Sequence, residues 1–178
     1  MKFLIASDLH GSSYYANALI KAFKEEGADK LIILGDIYNH GPRNPLPKEY
    51  APLKVAETLN AIKDKLIVIK GNCDSEVDTM ISEFDFIEGT CLYLSGKTFY
   101  LTHGHVYNKD KLPKTAFDFL IYGHFHTGFI EKQGDMTVAN CGSVSLPKNG
   151  TANSYIILTD KELILKDFDG KVIKSVKI

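Results

Sequence analysis

The chain has 178 residues, 44% of them apolar and 24% charged, and a formal net charge of -1. That length lies in the one-domain range, with room for a proper core, and the composition is that of a globular protein. The near-neutral balance offers no field for nucleic acid or an anionic membrane surface, and no run of about 18 apolar residues could span a bilayer.

The opening, MKFLIASDLHG, has too short an apolar run for a signal peptide and meets Asp8. Residues 2–7 read as a buried strand. Ser12 or Ser13 can cap a helix with Ala16, Leu19, Ile20 and Phe23 on its core face and Gly27 as its stop. Residues 30–34 form a second buried strand, ending at Gly35-Asp36. A proline-rich loop follows, and Pro52 opens a helix with Val55, Leu59 and Ile62 on one face. Residues 66–70 are the third strand. This strand-helix alternation implies parallel pairing with right-handed crossovers.

The second half is rich in strands. Residues 91–95 and 97–103 read as a hairpin split at Gly96, and FDFLIYGH and FIEKQGDMTVANCG carry further strands, with a turn at Gln133-Gly134-Asp135. The tail reads as three antiparallel strands turning at Asp160-Lys161 and Asp169-Gly170. No linker is evident, so residues 1–178 are expected to form one α/β domain with a mixed or doubled sheet. Exposed antiparallel edges in the tail could pair subunits into a homo-oligomer. Three cysteines (Cys73, Cys91 and Cys141) lack framework spacing, which points to reduced thiols and a cytoplasmic location.

Five strand ends deliver Asp, Asn or His, mostly beside glycine. They are Asp8-Leu9-His10-Gly11, Gly35-Asp36, Gly71-Asn72-Cys73-Asp74, His103-Gly104-His105 and Gly123-His124-Phe125-His126. In open α/β sheets ligands bind outside the carboxyl ends of strands, so these clusters are expected to share one rim. Oxygen and imidazole donors together suit borderline divalent metals: Mn, Fe, Co, Ni or Zn. Asp8, His10, Asp36, Asn72, His103, His124 and His126 are too many for one open tetrahedral site and suit two metals sharing a bridging carboxylate. Two such metals about 3.5–4 Å apart can clamp the attacking and leaving oxygens of a phosphate ester in line.

The series DLHG, GDIYNHG, GNCD, THGH and GHFH resembles the calcineurin-like metallophosphoesterase superfamily, and within it the small bacterial and archaeal YfcE-like phosphodiesterases. The resemblance covers essentially the whole chain. It implies a four-layer α-β-β-α sandwich: two mixed β-sheets flanked by helices, with metals at the strand ends. It also implies that Asp8, His10 and His126 hold one metal, that Asn72, His103 and His124 hold the other, and that Asp36 bridges. Manganese is the foremost candidate for the two divalent ions, with zinc, iron, nickel and cobalt as alternatives. The implied activity is hydrolysis of a small or medium phosphate diester by in-line attack of a metal-bridging hydroxide, with Asp36, Asn72 and His103 as catalytic residues. A non-catalytic protein-interaction scaffold and a phosphomonoesterase are the alternatives.

Around that constellation, Cys73, Arg43, His40 and His105 are expected to contact substrate. Cys73 stands where many relatives carry a histidine, and a thiol is a weak donor that cannot act as a cationic acid. Asp74 is expected either to cap a helix starting near Ser75 or to orient a ligating histidine. Cys91 is expected to fill core. Gly142-Ser143, after another strand end, could line the pocket.

Overall fold

A computed structural model describes all of residues 1–178. The first strand, β1 (Phe3–Ala6), leads into helix α1 (Ser13–Glu25), β2 (Lys30–Ile33), helix α2 (Pro52–Asn60), β3 (Leu66–Ile69) and the short β4 (Phe86–Ile87). Ser12 is the cap of α1, its hydroxyl accepting the Tyr15 N–H at 3.2 Å, and Pro52 lies at the first helical position of α2, where its missing N–H costs nothing. The strands β1 to β4 pair in parallel. The meander β10 (Ser154–Leu158), β11 (Glu162–Asp167) and β12 (Val172–Lys177) adds antiparallel to the free side of β1, giving the order β12-β11-β10-β1-β2-β3-β4.

A second sheet combines β5 (Thr90–Leu94), β6 (Lys97–Leu101), β7 (Phe119–Tyr122), β8 (Phe129–Gln133) and β9 (Met136–Asn140) in the order β5-β6-β7-β9-β8. Its three central strands are parallel, and β5 and β8 flank them antiparallel.

Period-2 alternation sorts the side chains of the first sheet between two cores. Leu4, Leu31 and Ile33 face Ala16, Leu19 and Phe23 of α1 and Val55 and Leu59 of α2. Phe3, Ile5 and Ile32 face Phe99, Phe119, Ile121 and Ile130 of the second sheet. Fully burying side chains of this size contributes about 1.5–3 kcal/mol apiece, so the two cores lock the sheets face to face. The result is the expected layered sandwich, with one difference. Both long helices cover the first sheet, whereas the outer face of the second meets an irregular segment whose Tyr107 and Phe117 pack on Tyr100. Pro113 and the lack of a helical apolar period in residues 106–118 account for that.

Cys91 is exposed, contrary to the expected core role, because on edge strand β5 residues 91 and 93 point outward while Leu92 and Leu94 pack inward. Asp74 caps no helix. The one-and-a-half-turn 3-10 segment Glu76–Met80 is capped by Ser75 with Asp78 in a capping box.

Candidate metal centre

The parallel strands β1, β2 and β3 and the parallel strands β6, β7 and β9 all end at the same rim. Five of the eight non-glycine residues with positive φ are candidate ligands there: Asp8 (60°), His10 (50°), Asp36 (55°), His124 (66°) and His126 (59°). The left-handed region is costly for such side chains and persists only where the surroundings enforce it. Two glycines make the approach possible. A Cβ at Gly71 would collide with the Asp36 carboxylate, and one at Gly123 would collide with the Ser7 side chain and the Asp8 carboxylate.

The donors converge in two overlapping groups. In the first, Asp8 Oδ1 lies 3.2 Å from His126 Nε2 and 3.5 Å from His10 Nε2, and the two imidazole Nε2 atoms are 3.1 Å apart. In the second, His103 Nε2 lies 3.0 Å from Asn72 Oδ1, 3.1 Å from His124 Nδ1 and 3.4 Å from Asp36 Oδ2. Asp36 Oδ2 is also 3.8 Å from His10 Nε2, so this carboxylate stands between the groups. Asp8, His10, Asp36, His103 and His126 are buried, His124 is half-buried and Asn72 lies on the open side.

Backbone carbonyls set the tautomers. His10 Nδ1 donates to Asn39 O at 2.7 Å, His103 Nδ1 to Leu34 O at 2.6 Å and His126 Nδ1 to Leu146 O at 2.6 Å. With each Nδ1 proton so engaged, each neutral ring turns an Nε2 lone pair toward the carboxylates. Lone pairs facing one another at these distances repel unless a cation lies among them. Asp8 Oδ1 is a buried acceptor without a hydrogen-bond partner, which is the same demand from the carboxylate side. The residues therefore fit a divalent-metal site.

Titration behaviour reflects the crowding. Burial opposes charge on His103, yet the Asp36 contact, with Asp8 behind it, pushes it up to about 9 in the metal-free protein, so that a proton on Nε2 takes the place a cation would fill. Burial likewise opposes ionisation of Asp8, but His10 and His126 hold its carboxyl well below the usual range. Burial and the neighbouring His103 bring His124 down to about 4, keeping its Nδ1 lone pair free near neutral pH.

Other groups hold the frame. Asp74 accepts the backbone N–H groups of Asp36, Ile37 and Gly71, each at 2.8 Å, and so ties the end of β2 to the end of β3. It touches no histidine, so its expected part in orienting one gives way to orienting the backbone of Asp36. After β9, the hydroxyls of Ser143 and Ser145 donate to the Asp8 carbonyl at 2.8 and 3.0 Å, so Ser143 supports the strained Asp8 turn from below.

A cavity of about 710 Å³ opens over the two groups, walled by Asp36, Asn72, Cys73, His124 and His126 and by Asn39, Arg43, Phe125 and Lys148. Arg43 and Cys73, two of the expected substrate contacts, line this cavity. His40 and His105 lie outside that wall. His40 packs edge-on to Tyr50 with ring centres 5.4 Å apart, and His105 is exposed, its ring 5.4 Å from that of His103. Sequence reasoning missed Lys148 and Phe125. Lys148 lies within the loop between β9 and β10, away from either strand end, and lysines are too common to mark it. Phe125 sits at the variable position of the GHFH motif.

Residues 1–162 match the calcineurin-like phosphoesterase superfamily domain. Phosphodiesterase YfcE of Escherichia coli K12 is 42% identical over 181 aligned positions, covering all of this chain and 98% of the relative. The solved structure of the E. coli phosphoesterase Yfce superposes with a TM-score of 0.94 at 42% identity, over 99% of this chain and 98% of that one. The probable metallophosphoesterase YsnB of Bacillus subtilis is 28% identical over 89% of this chain and 84% of its own length. A likeness in fold alone extends to Vps29 of Entamoeba histolytica, solved with Zn2+ (TM-score 0.59, 18% identity, 100% of this chain and 98% of that one).

Proposed function

The chain belongs to the calcineurin-like phosphoesterase superfamily, in its YfcE-like branch, and is a phosphoester hydrolase; we propose that it is a two-metal phosphodiesterase acting on a small or medium phosphate diester. In this reading Asp8, His10 and His126 hold one divalent ion and Asn72, His103 and His124 the other, while Asp36 serves both. The observation that carries it is the position of Asp36 Oδ2, 3.4 Å from His103 Nε2 and 3.8 Å from His10 Nε2, at the junction of the groups. When bound, the ions supply Lewis-acid activation of water and of the phosphoryl oxygens.

The protein supplies position and charge. Carbonyl-anchored imidazoles hold the donor atoms in place before substrate arrives, so little reorganisation is left to the reaction. Two anionic donors against two divalent cations leave a positive site, which favours an anionic ester. Arg43 and Lys148 in the wall add donors for its non-bridging oxygens. Cys73 lines the wall with Sγ 3.3 Å from Asn72 Nδ2. In the metal-free protein burial and the nearby Asp36 push its thiol up to about 12, which argues against a thiolate nucleophile.

The mixed oxygen and imidazole donors fit any of the borderline divalent ions, manganese among them. The shared core between the two sheets supports one domain over residues 1–178, and the free thiols support a reducing, cytoplasmic setting.

The test is metal reconstitution with counting of bound ions, followed by assay of an aryl phosphodiester against its monoester. Two ions per chain and preference for the diester are expected, with loss of turnover in Asn72→Ala and His124→Ala. Activity that survives both substitutions, or that needs no divalent metal, would overturn the two-metal reading. A fully loaded protein inert toward every ester would point to a binding scaffold.

A further inference from the structure

Beside the metal centre lies a smaller cavity of about 200 Å³ that the reaction at the metals does not use. Phe125 forms the partition, lining both this cavity and the larger one. It is 41% exposed although it sits between His124 and His126. The chain presents it by construction. The Phe125 N–H donates to Gly123 O at 2.7 Å in a tight turn, and the positive φ of residues 124 and 126 turns the backbone on either side. Its ring stands edge-on to His124 at 5.0 Å and to buried Tyr122 at 6.0 Å, and Tyr122 stands edge-on to Phe129 at 6.1 Å. Lys109, Asp110, Thr127 and Asn149 complete the lining.

Aromatic surfaces with a polar rim suit a flat ring that has hydrogen-bonding edges. The volume is below the roughly 300–1,000 Å³ usual for drug-sized ligands, which limits the guest to one ring system. Because Phe125 lines both cavities, an ester whose phosphate sits at His124 and His126 in the larger one has the smaller one directly across this ring. Resting on the phosphodiesterase reading above, we propose that Phe125 is a specificity residue that stacks a heteroaromatic ring of the nucleobase class borne by the ester, with Asp110 and Asn149 meeting its polar edge.

The test compares two substrates that differ only in the ring: the methyl ester of a nucleoside 5′-monophosphate and the methyl ester of ribose 5-phosphate. Base–aromatic stacking is worth a factor of about 5 to 150, so the kcat/KM ratio between the two esters should have that size in the manganese-loaded protein. The ratio should fall toward one in Phe125→Ala and be kept in Phe125→Tyr. Binding of the free nucleoside, followed by shifts of the phenylalanine ring signals in NMR, should be present in the parent and weakened in Phe125→Ala. Equal kcat/KM for both esters in the parent, or a ratio unmoved by Phe125→Ala, overturns the ring site and leaves the phosphodiesterase reading standing. If neither ester nor the aryl phosphodiester is hydrolysed yet the nucleoside binds through Phe125, the ring site stands and the phosphodiesterase reading falls.

Discussion

The carboxylate of Asp74 accepts the backbone N–H of Asp36 at 2.8 Å, while the carboxylate of Asp36 accepts the backbone N–H of Cys73 at 2.8 Å. The two acids thus clasp the ends of β2 and β3 reciprocally, and the positive φ of Asp36 is held from both directions. Removing Asp74 strands three backbone donors in a buried place, each costing about 1–3 kcal/mol. Asp74→Ala should therefore lose at least about 3 kcal/mol in urea unfolding of the metal-free protein, and Asp74→Asn less, because its amide oxygen still accepts. Metal affinity by calorimetric titration should fall about 10- to 100-fold, as for other groups that orient ligands. A loss below about 1 kcal/mol would mean the clasp is redundant.

Gly71 is the point where β3 passes the Asp36 carboxylate, and a methyl group there collides with that carboxylate and with the Asp36 backbone N–H. Gly71→Ala should displace Asp36 and cost about 100-fold or more in kcat, the scale expected for misplacing a catalytic group by about 1 Å. Gly134→Ala is the control away from the rim: its φ of +61° strains the backbone, but nothing lies within 4 Å of its added Cβ, so it reports the cost of strain without a collision at the site. Equal activity in the two variants would show that the rim yields without penalty.

In the metal-free protein the cysteines should separate cleanly toward iodoacetamide at pH 8. Burial, with Asp36 next, pushes the Cys73 thiol up to about 12, burial raises Cys141 well above the usual range, and Cys91 is exposed on β5. Mass spectrometry should find Cys91 modified first, with Cys73 and Cys141 protected because the thiolate is the reactive form. In the same place, Cys73→His should raise turnover more for esters with poor leaving groups than for good ones, since imidazolium can donate where a thiol cannot. A uniform change across leaving groups would remove Cys73 from the acid's position.

Asp118 joins the entries of β6 and β7. The Thr98 backbone N–H, Lys97 and the Thr98 hydroxyl bring its carboxyl down to about 2 from an ordinary 3.8. Its folded-state value is depressed, so its stabilisation is fully present above the unfolded value and is lost as pH falls from about 4 through about 2. Asp118→Asn should unfold at a lower temperature than the parent at pH 6, and the difference should close near pH 2. A difference that persists unchanged at pH 2 would mean the charge is not its source.

By itself the sequence determined most of the elements and the candidate donor set. Short apolar runs between turn residues defined the parallel strands, and Asp8, His10, Asp36, Asn72, His103, His124 and His126 were legible because each follows such a run, mostly beside a glycine. Tertiary structure decided what those residues touch. The carbonyls of Leu34, Asn39 and Leu146 select the imidazole tautomers, yet a carbonyl belongs to every residue and leaves no mark in a sequence. Asp74 turned from a helix cap into a clasp because its partners lie on two different strand ends, and Cys91 faces solvent because β5 is an edge. His40 and His105 share the local pattern of the ligands but stand outside the cavity, while Phe125 and Lys148 line it without any pattern. Periodicity and glycine placement are properties of neighbours in the chain, whereas contacts across 20 to 140 residues exist only after the two sheets have packed.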